Sequence, residues 1–357
     1  MKKIMIVTGS LGSGGIEKVT SRIANYYQNK QYKVYIVTLL SNSGDSFQTI
    51  NNDIEIISYK KDVGNNISKK LSIFSWIKFL KKIFHEIKPN CVLAMTLKIA
   101  SLCILSRRKE NIRICLRETS DPKSKVRNRI TDNFLFFICR KIDAIIFQTQ
   151  WEKLCYPKFL QKRGLVIPNP VDVKQILSKE KTKKIVTMGR LMNIQKRHDV
   201  LIEAFSEFSK EYKDFALIIY GDGPDLEKDK ELIKKFHVED NVIIEKPKVN
   251  IHEKIADSYM FIMTSDFEGL SNALVEAMLL GIPCITSDWP GSDEIIRHGE
   301  NGLIYNRNNI CELVQCMKKL ADDPHICKKI SNNGIKESQK YQPDIVLAKY
   351  SALIEGE

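Results

Sequence analysis

This 357-residue chain lacks the residue groupings that bind metals or form disulfide frameworks. Its nine cysteines and six histidines are scattered, and no C-x-x-C pair occurs, so reduced thiols in a cytoplasmic protein are the expectation. No run reaches about 18 uninterrupted apolar residues, so no helix is expected to span a bilayer. The short apolar segment Lys3–Thr8 passes into Gly9 without a cleavage site of small residues, which indicates a first strand and not a signal peptide.

Acidic residues are scarce in the first half of the chain. Residues 1–170 hold 30 Lys and Arg against 12 Asp and Glu, whereas residues 171–357 hold 26 against 31, within an overall net charge of +13. The basic half predicts attraction to an anionic surface, either phospholipid or nucleic acid. A hydrophobic content of 43% and a charged content of 28% are typical of a folded globular protein, and the length fits two domains.

Runs rich in β-branched residues alternate with helical patterns, which is typical of parallel α/β domains. In the first half the predicted strands are Lys3–Thr8, Lys33–Leu40, Asp53–Ser58, Cys91–Met95, Ile112–Leu116, Ala144–Gln148 and Leu165–Ile167, with helices over about Glu17–Asn29 and Leu71–Ile87. After the proline-rich linker Pro168-Asn169-Pro170 the alternation restarts, with strands Lys184–Met188, Ala216–Tyr220, Val242–Ile244, Met260–Thr264 and Pro283–Thr286 and helices Asp199–Lys210, Leu226–Phe236 and Asn272–Leu280. Two doubly wound domains facing each other across a cleft are therefore predicted.

A glycine-rich loop lies between the first strand and the first helix, with the sequence Gly9-Ser10-Leu11-Gly12-Ser13-Gly14-Gly15-Ile16-Glu17. Glycines there would let backbone N–H groups approach a phosphate at the helix N-terminus. The spacing matches neither G-x-G-x-x-G nor the P-loop pattern. The second strand also ends Val37-Thr38-Leu39-Leu40, without the acidic residue that binds a dinucleotide ribose. An anion site and a purely structural turn are therefore both open.

Basic residues follow the first strand of the second half, in the segments Gly189-Arg190-Leu191 and Lys196-Arg197. Ligands of open α/β sheets bind at the carboxyl ends of strands. Arg190 and Lys196 would jointly neutralise a diphosphate there, the arginine through its planar fork and the lysine as a point charge. The alternative is a solvated basic turn.

A pair of carboxylates with seven residues between them follows a later strand and enters a helix, in Glu268-Gly269-Leu270-Ser271-Asn272-Ala273-Leu274-Val275-Glu276. Glu276 would lie about two turns of helix beyond the loop that carries Glu268. Both carboxylates could then face one ligand, one accepting hydrogen bonds from sugar hydroxyls and the other from ribose hydroxyls. The backbone N–H groups of Ser271 to Leu274 would face phosphate oxygens. A surface glutamate is the alternative for Glu276, although its apolar neighbours predict burial.

Together these motifs resemble those of the family 4 glycosyltransferases with the GT-B fold, over nearly the whole chain. The matching segments, in order, are Gly14-Gly15-x-Glu17, Ile167-Pro168-Asn169-Pro170-Val171-Asp172, Gly189-Arg190-Leu191 with Lys196, Gly221-Asp222-Gly223-Pro224, Glu268 to Glu276, and Asn301-Gly302-Leu303. The resemblance implies an acceptor-binding Rossmann-like domain over residues 1–168 and a nucleotide-sugar-binding one over residues 169–340. It also implies that residues 341–357, with a helix near Asp344–Ile354, cross back onto the first domain.

The resemblance further implies transfer with retention and without metal or cofactor, and no D-x-D triplet is present to hold a divalent ion. Arg190, Lys196 and Glu268 would act in catalysis, the two cations by stabilising charge on the departing nucleoside diphosphate. Glu276 would bind the donor's ribose, and Glu17 falls on the acceptor side. The other implied donor-binding positions are Gly14, Gly15, Gly189, Gly221, Gly269, Leu270, Ser271, Asn272, Ala273 and Leu274.

The chain departs from the family pattern in its first domain, where many relatives carry a histidine near the donor sugar. The comparable segment is Leu116-Arg117-Glu118-Thr119-Ser120-Asp121-Pro122, which is similar to the bacterial polysaccharide branch of the family. Arg117 or Glu118 is expected in the acceptor half of the cleft. An ion-paired loop is the alternative.

The predicted helix Leu71–Ile87 has apolar residues at helical spacing and lysines towards its other side. The apolar ones are Ile73, Trp76, Ile77, Leu80, Ile83, Phe84 and Ile87, and the lysines are Lys78, Lys81 and Lys82. This helix would rest on an anionic bilayer, supported by Arg107, Arg108, Lys109, Lys123, Lys125, Arg127 and Arg129. A core-facing helix with solvated lysines is the alternative.

The hypothesis is thus a cytoplasmic enzyme, peripheral on the inner face of the cell membrane. It would move a hexose or N-acetylhexosamine from a nucleotide-sugar, with a UDP-sugar expected from family habit, to a lipid-linked or glycan acceptor in capsule, lipopolysaccharide O-antigen or exopolysaccharide assembly. A UDP-sugar 2-epimerase of the same fold is one alternative, although the six histidines fall outside every motif. A nucleic-acid-binding protein that uses the basic half is the other, but no recognition-helix, zinc-finger or aromatic RNA-binding signature supports it.

Overall fold

The computed structural model describes residues 1–12, 15–40, 50–59, 69–107, 110–118, 129–173, 180–246 and 250–355. The chain divides into two compact units. The first unit comprises Met1–Pro170 together with Pro343–Glu357, and the second comprises Val171–Gln342. The chain therefore leaves the first unit two residues after the predicted boundary and returns to it at Pro343.

The first unit is built on a parallel sheet. Its described strands are β1 (Lys3–Thr8), β2 (Lys33–Thr38), β3 (Glu55–Ser58), β4 (Cys91–Ala94), β5 (Arg113–Arg117), β6 (Ala144–Phe147) and β7 (Gly164–Val166), and its helices up to the linker are α1 (Gly15–Asn29), α2 (Lys69–Ile87), α3 (Leu97–Ser106), α4 (Arg129–Ile138), α5 (Gln150–Leu154) and α6 (Lys158–Gln161). The strand order is β3-β2-β1-β4-β5-β6-β7. This is a Rossmann order, in which the chain reverses its direction across the sheet between β1 and β4.

The second unit repeats this design. Its described strands are β8 (Thr182–Met188), β9 (Ala216–Tyr220), β10 (Val242–Glu245), β11 (Ser258–Met263), β12 (Cys284–Ser287) and β13 (Leu303–Tyr305), and its helices are α7 (His198–Ser209), α8 (Leu226–Lys235), α9 (Ile251–Ile255), α10 (Asn272–Leu279), α11 (Ile310–Asp322) and α12 (Pro324–Ser338). The strands are parallel in the order β10-β9-β8-β11-β12-β13. The reversal point therefore falls between β8 and β11, which pair directly.

Both faces of each sheet are covered, because successive strand residues point to opposite sides. In β1, Met5 and Val7 belong to the core on the α2 and α3 side, whereas Ile4 and Ile6 belong to the core that α1 supplies. The second unit has the same two-sided arrangement around β8, with Ile185 in one core and Val186 in the other. These sheets therefore leave their strand ends, and not their faces, for a binding site.

The last helix, α13 (Pro343–Glu355), belongs to the first unit. Val346, Leu347 and Tyr350 are buried in the core that contains β1 and α1. The Arg113 Nε of β5 donates to the carbonyl oxygen of Leu353 at 2.7 Å. The final helix is therefore an integral layer of the first unit.

The structure corrects the membrane role predicted for Leu71–Ile87, which forms most of α2. Leu80, Ile83 and Phe84 are buried in the core of the first unit, and the other apolar residues that pack against this core are Trp76, Ile77, Phe79 and Ile87. Apart from Ile73, which is exposed, the periodic apolar face is thus a core face. None of the helices in the described part of the chain is long and apolar enough to cross a membrane.

Of the basic residues predicted to support that helix, only some belong to the described part of the chain. Arg107 is bonded to Asp143 at 2.6 Å. The others, Arg108, Lys109, Lys123, Lys125 and Arg127, and the side chain of Arg129, lie outside the described residues.

Candidate active site at the carboxyl edge of the second sheet

The loops that follow β8 and β11 meet at the reversal point of the second sheet. Lys196, in the first loop, places its Nζ 2.6 Å from Oε1 of Glu268, in the second. The Ser265 hydroxyl donates to the same oxygen at 2.7 Å. The side chains of Lys196 and Glu268 are 17% and 10% exposed, so the pair is shielded from water and its attraction is only partly screened. Two of the predicted catalytic residues are therefore in direct contact.

Oε1 of Glu268 receives both of these bonds. Within the described residues no hydrogen bond is found to its other oxygen, Oε2. A carboxylate can accept at both oxygens, so Oε2 is the atom that this residue offers to a ligand hydroxyl.

The backbone of Lys196 is fixed by the strand on the other side of the reversal point. The Thr264 hydroxyl contacts the carbonyl oxygens of Lys196 and Arg197 at 2.8 and 2.9 Å. The N–H of Asp266 donates to the carbonyl of Gln195 at 2.8 Å. These bonds hold the ammonium-bearing loop in place before any ligand arrives, which is the preorganisation that electrostatic catalysis requires.

Arg197 has a left-handed backbone, with a φ of 52°, immediately before α7. Such a conformation costs a non-glycine residue of the order of 1 kcal/mol and persists where the surroundings enforce it. Here the guanidinium bonds Asp199, with Nε and Nη2 at 3.1 and 3.2 Å from its two oxygens. The neighbouring His198 is buried, and this burial, together with the Lys196 ammonium, lowers its pKa to about 4. The imidazole is therefore neutral at pH 7.

The same loop is anchored at its centre by α8. Asn193 donates from its backbone to Asp225 at 2.8 Å and from its side chain to Asp229 at 2.6 Å. Burial raises the pKa of the Asp229 carboxyl to about 6, against the opposing effect of the Asn193 bond. Sequence spacing gave no indication of this anchor.

Gly221 and Gly223 allow the loops after β8 and β9 to touch. A Cβ at Gly221 would overlap the carbonyl oxygen of Gly189, and a Cβ at Gly223 would overlap that of Leu191. The N–H of Leu191 donates to the Asp222 carbonyl at 3.0 Å. The described contacts of Gly221 are therefore packing contacts between loops, and its predicted donor contact stays a prediction.

Helix α10 begins four residues after Glu268 in the sequence, with Ser271 as its N-cap. The Ser271 hydroxyl accepts from the N–H of Leu274 at 3.4 Å. The Leu274 amide thus bonds to the cap of its own helix, and its predicted role as a phosphate donor stays a prediction. The half-buried residues Asn272 and Ala273 occupy the positive end of the helix. Before them, Gly269 is half-buried and Leu270 belongs to the core.

Glu276 is buried on α10, and a histidine that was not predicted lies against it. Nε2 of His252, on α9, is 3.3 Å from Oε2 of Glu276. A buried carboxylate is costly without polar partners, and the imidazole of His252 is one polar group that lies beside Glu276 among its apolar neighbours. Twenty-four sequence positions separate the two residues, and no local pattern connects them.

Arg190 differs from Lys196 in its surroundings. Its side chain is exposed, and the described residues provide it with no hydrogen bond or ion pair. It follows Gly189, beside which the Lys196 side chain runs, since a Cβ there would lie 3.4 Å from Cδ of Lys196, an ordinary contact distance. The described residues also contain no cluster of three His, Cys, Asp or Glu side chains arranged for a metal ion.

Two family models match the chain. The model described as glycosyl transferases group 1 matches residues 169–337, and the one described as glycosyl transferase 4-like matches residues 11–149. The chain belongs to the group 1 glycosyltransferases. The resemblance to family 4 that the motifs indicated is thereby confirmed.

Known relatives align with nearly the full length of this chain. The amylovoran biosynthesis glycosyltransferase AmsD of Erwinia amylovora is 24% identical over 99% of both chains. The N-acetylgalactosamine-N,N'-diacetylbacillosaminyl-diphospho-undecaprenol 4-alpha-N-acetylgalactosaminyltransferase of Campylobacter jejuni is 25% identical over 94% of both. A crystal structure of Anabaena HepE in complex with UDP-glucose has a TM-score of 0.82, with 16% identity over all of both chains. With its two Rossmann-like sheets, the glycosyltransferase has the GT-B fold, as predicted.

The amino-terminal glycine loop of the glycosyltransferase is only partly described. Gly14 lies outside the described residues, and Gly15 is the exposed first residue of α1. Glu17 accepts from the Ser10 hydroxyl at 3.1 Å, which ties the start of α1 to the beginning of the glycine loop. The structure thus shows a local loop contact for Glu17, and its predicted acceptor role stays a prediction.

Arg117 and Glu118 lie at the end of β5, and both are about 1% exposed. Nε of Arg117 donates to the Tyr350 hydroxyl of α13 at 2.9 Å, and Nη2 bonds the amide oxygen of Asn169 in the linker. Glu118 accepts from the Tyr156 hydroxyl. Both side chains are thus enclosed within the first unit, and the place predicted for either in the acceptor half of the cleft stays a prediction. Arg117 joins β5 to the last helix and the linker.

Proposed function

We propose that this glycosyltransferase is a retaining enzyme that takes a hexose or N-acetylhexosamine from a UDP-sugar bound at the carboxyl edge of the second sheet. The observation that carries the proposal is the shielded contact between Lys196 and Glu268 at the reversal point, where open α/β sheets bind their ligands. The HepE complex with UDP-glucose, in a protein of the same fold, supports a UDP-sugar as donor.

In the proposed mechanism Lys196 stabilises the leaving group. As the bond between the sugar and the diphosphate breaks, negative charge accumulates on the departing phosphate oxygen. A preorganised ammonium group beside that oxygen lowers the energy of the transition state more than that of the bound donor. The exposed guanidinium of Arg190, six residues earlier in the same loop, would supply a second positive charge. With two such cations, neither metal nor cofactor is required.

The two glutamates would orient the donor. Glu268 holds Lys196 through Oε1, so its Oε2 would accept from a hydroxyl of the sugar. Glu276 would bind the ribose hydroxyls, with His252 fixing the direction of its carboxylate. The positive end of α10, at Asn272 and Ala273, would face the diphosphate.

The first unit would bind a lipid-linked or glycan acceptor, in the assembly of a bacterial surface polysaccharide. The names of two relatives support this, since one takes part in amylovoran biosynthesis and the other acts on a diphospho-undecaprenol-linked sugar. The basic character of residues 1–170 suits an enzyme that works on the cytoplasmic surface of an anionic membrane.

The experiment that tests the reaction uses UDP-glucose, UDP-galactose and their N-acetylated counterparts, each with a chelator present. Release of UDP is followed with water as the acceptor, and the anomeric proton of the freed sugar is recorded by NMR before it equilibrates. We expect one donor to be cleaved with the α-anomer appearing first. Initial release of the β-anomer would contradict retention, and activity only after a divalent metal is restored would contradict metal independence.

A further inference from the structure

Helix α4 of the first unit exposes large apolar side chains in a single row. Ile130, Phe134 and Phe137 are 83%, 64% and 63% exposed. Their spacing of four and three residues places them on one face of the helix. Isolated exposed apolar residues are ordinary, but a continuous row with two aromatic rings marks an interaction surface. We call these three residues the α4 stripe.

The opposite side of α4 is fixed to the protein. Leu135, Phe136 and Ile138 pack against the core of the first unit, and the Phe136 ring meets Tyr156 edge-on at 5.1 Å. Because α4 already packs against the core through its inner side, the α4 stripe is a solvent-facing surface and not a core face. In α2, by contrast, the periodic apolar face packs against the core.

Positive charge adjoins the α4 stripe. The guanidinium of Arg140 lies 5.2 Å from the ring centres of both Phe137 and Phe159, so it links the stripe to α6. Residues 129–163 contain seven Lys and Arg against three Asp and Glu, and one of those acids, Glu152, is buried. The exposed side chains of Lys141, Lys158 and Lys162 belong to this segment.

We propose that the α4 stripe inserts into the interfacial region of an anionic bilayer, with Arg140 and the neighbouring lysines on the lipid headgroups. Exposed phenylalanines beside basic residues are the composition of interfacial membrane contacts. The charge disfavours a second copy as the occupant, since two such basic faces would repel each other. The inference rests on the proposed function only in that a membrane-bound acceptor gives the docking its purpose.

The test is sedimentation of the full-length protein with vesicles of phosphatidylcholine containing one third phosphatidylglycerol. The variant Ile130→Ser/Phe134→Ser/Phe137→Ser removes the stripe without touching the core. Phe74→Ser on α2 is the matched control, because Phe74 is 74% exposed and lies outside the stripe. UDP-induced thermal stabilisation of each variant reports separately on the donor site, so failure of docking and failure of the proposed donor function are distinguishable.

We expect the wild type and Phe74→Ser to bind these vesicles, and the triple variant to bind at least tenfold more weakly with unchanged UDP stabilisation. Equal binding by the triple variant, or loss of binding in Phe74→Ser instead, would overturn the assignment. So would a wild type that does not bind the vesicles, or one that is dimeric in light scattering and becomes monomeric when the stripe is removed, since the occupant would then be a second copy.

Discussion

Replacing Lys196 with alanine removes the ammonium group that the proposed mechanism places beside the leaving diphosphate. With an effective dielectric of about 20, a unit charge about 4 Å from a phosphate oxygen contributes about 4 kcal/mol. Only the part of the phosphate charge that develops during bond breaking counts towards the rate, so we take about 3 kcal/mol as the loss. The turnover number should therefore fall by about 10².

The same substitution also destabilises the fold, and the design must separate the two effects. Glu268 would keep only the Ser265 hydroxyl at its Oε1, and breaking a buried pair costs about 3–5 kcal/mol when both groups are fully enclosed. Lys184 provides a matched control. Its Nζ is also 2.6 Å from a carboxylate, that of Asp257, and its side chain is also 17% exposed, but it lies near the beginning of β8, away from the carboxyl edge.

The assay is the initial rate of UDP release at saturating donor, with unfolding measured on the same preparations. Lys196→Ala and Lys184→Ala should both lose stability, but only Lys196→Ala should lose about 10² in turnover. Lys196→Arg, which keeps the charge, should recover part of the loss. If the two alanine variants had the same turnover, the assignment of Lys196 to the leaving group would be refuted.

Three further predictions concern other residues of the two units. Glu276→Ala should weaken UDP binding strongly. His252→Ala should raise the KM for the donor by a smaller factor of about 3–10 with kcat unchanged, because the His252 side chain only orients the carboxylate. Steady-state kinetics separate these effects. Asp229 has a pKa of about 6 in the folded protein, above its unfolded value, so its contribution to stability is complete below about pH 4 and is lost as the pH rises through about 6. In urea unfolding, the free energy of unfolding of Asp229→Asn should exceed that of the wild type by about 2 kcal/mol at pH 7.5 and by little at pH 4.5. Arg117→Met leaves the Tyr350 hydroxyl without its guanidinium donor and should lower the free energy of unfolding by about 2–4 kcal/mol, while the KM for a soluble acceptor stays unchanged. A raised acceptor KM in a stable Arg117→Met protein would support the acceptor role instead.

Hydrophobic periodicity located most strands because buried parallel strands are continuous β-branched runs bounded by turns. It gave no strand for Leu303–Tyr305, since three residues do not establish a period. It gave no bounds for Leu97–Ser106, because all of its residues but Lys98 and Leu105 are buried and no polar face marks the helical period. The amphipathic pattern of α2 was recognised correctly, but periodicity alone does not distinguish a face that meets a core from one that meets a bilayer.

The site shows the same division between local and long-range information. Lys196 and Glu268 each follow a strand, which sequence reasoning detects, but their contact depends on β8 lying next to β11. His252 was missed because its partner, Glu276, lies on another element. Arg117 was expected just after its strand and is the last residue of β5, but its bond to Tyr350 depends on α13, which is distant in sequence.

The central claim is that the second unit binds the donor nucleotide without metal, and thermal unfolding with UDP in the presence of a chelator tests it most directly. A ligand at 100 times its Kd stabilises the folded state by about 2.7 kcal/mol, which raises the unfolding midpoint by several degrees. We predict that rise for the wild type and for Lys184→Ala, and its loss in Glu276→Ala. An equal rise in Glu276→Ala, or no rise with UDP but one with DNA, would contradict the claim.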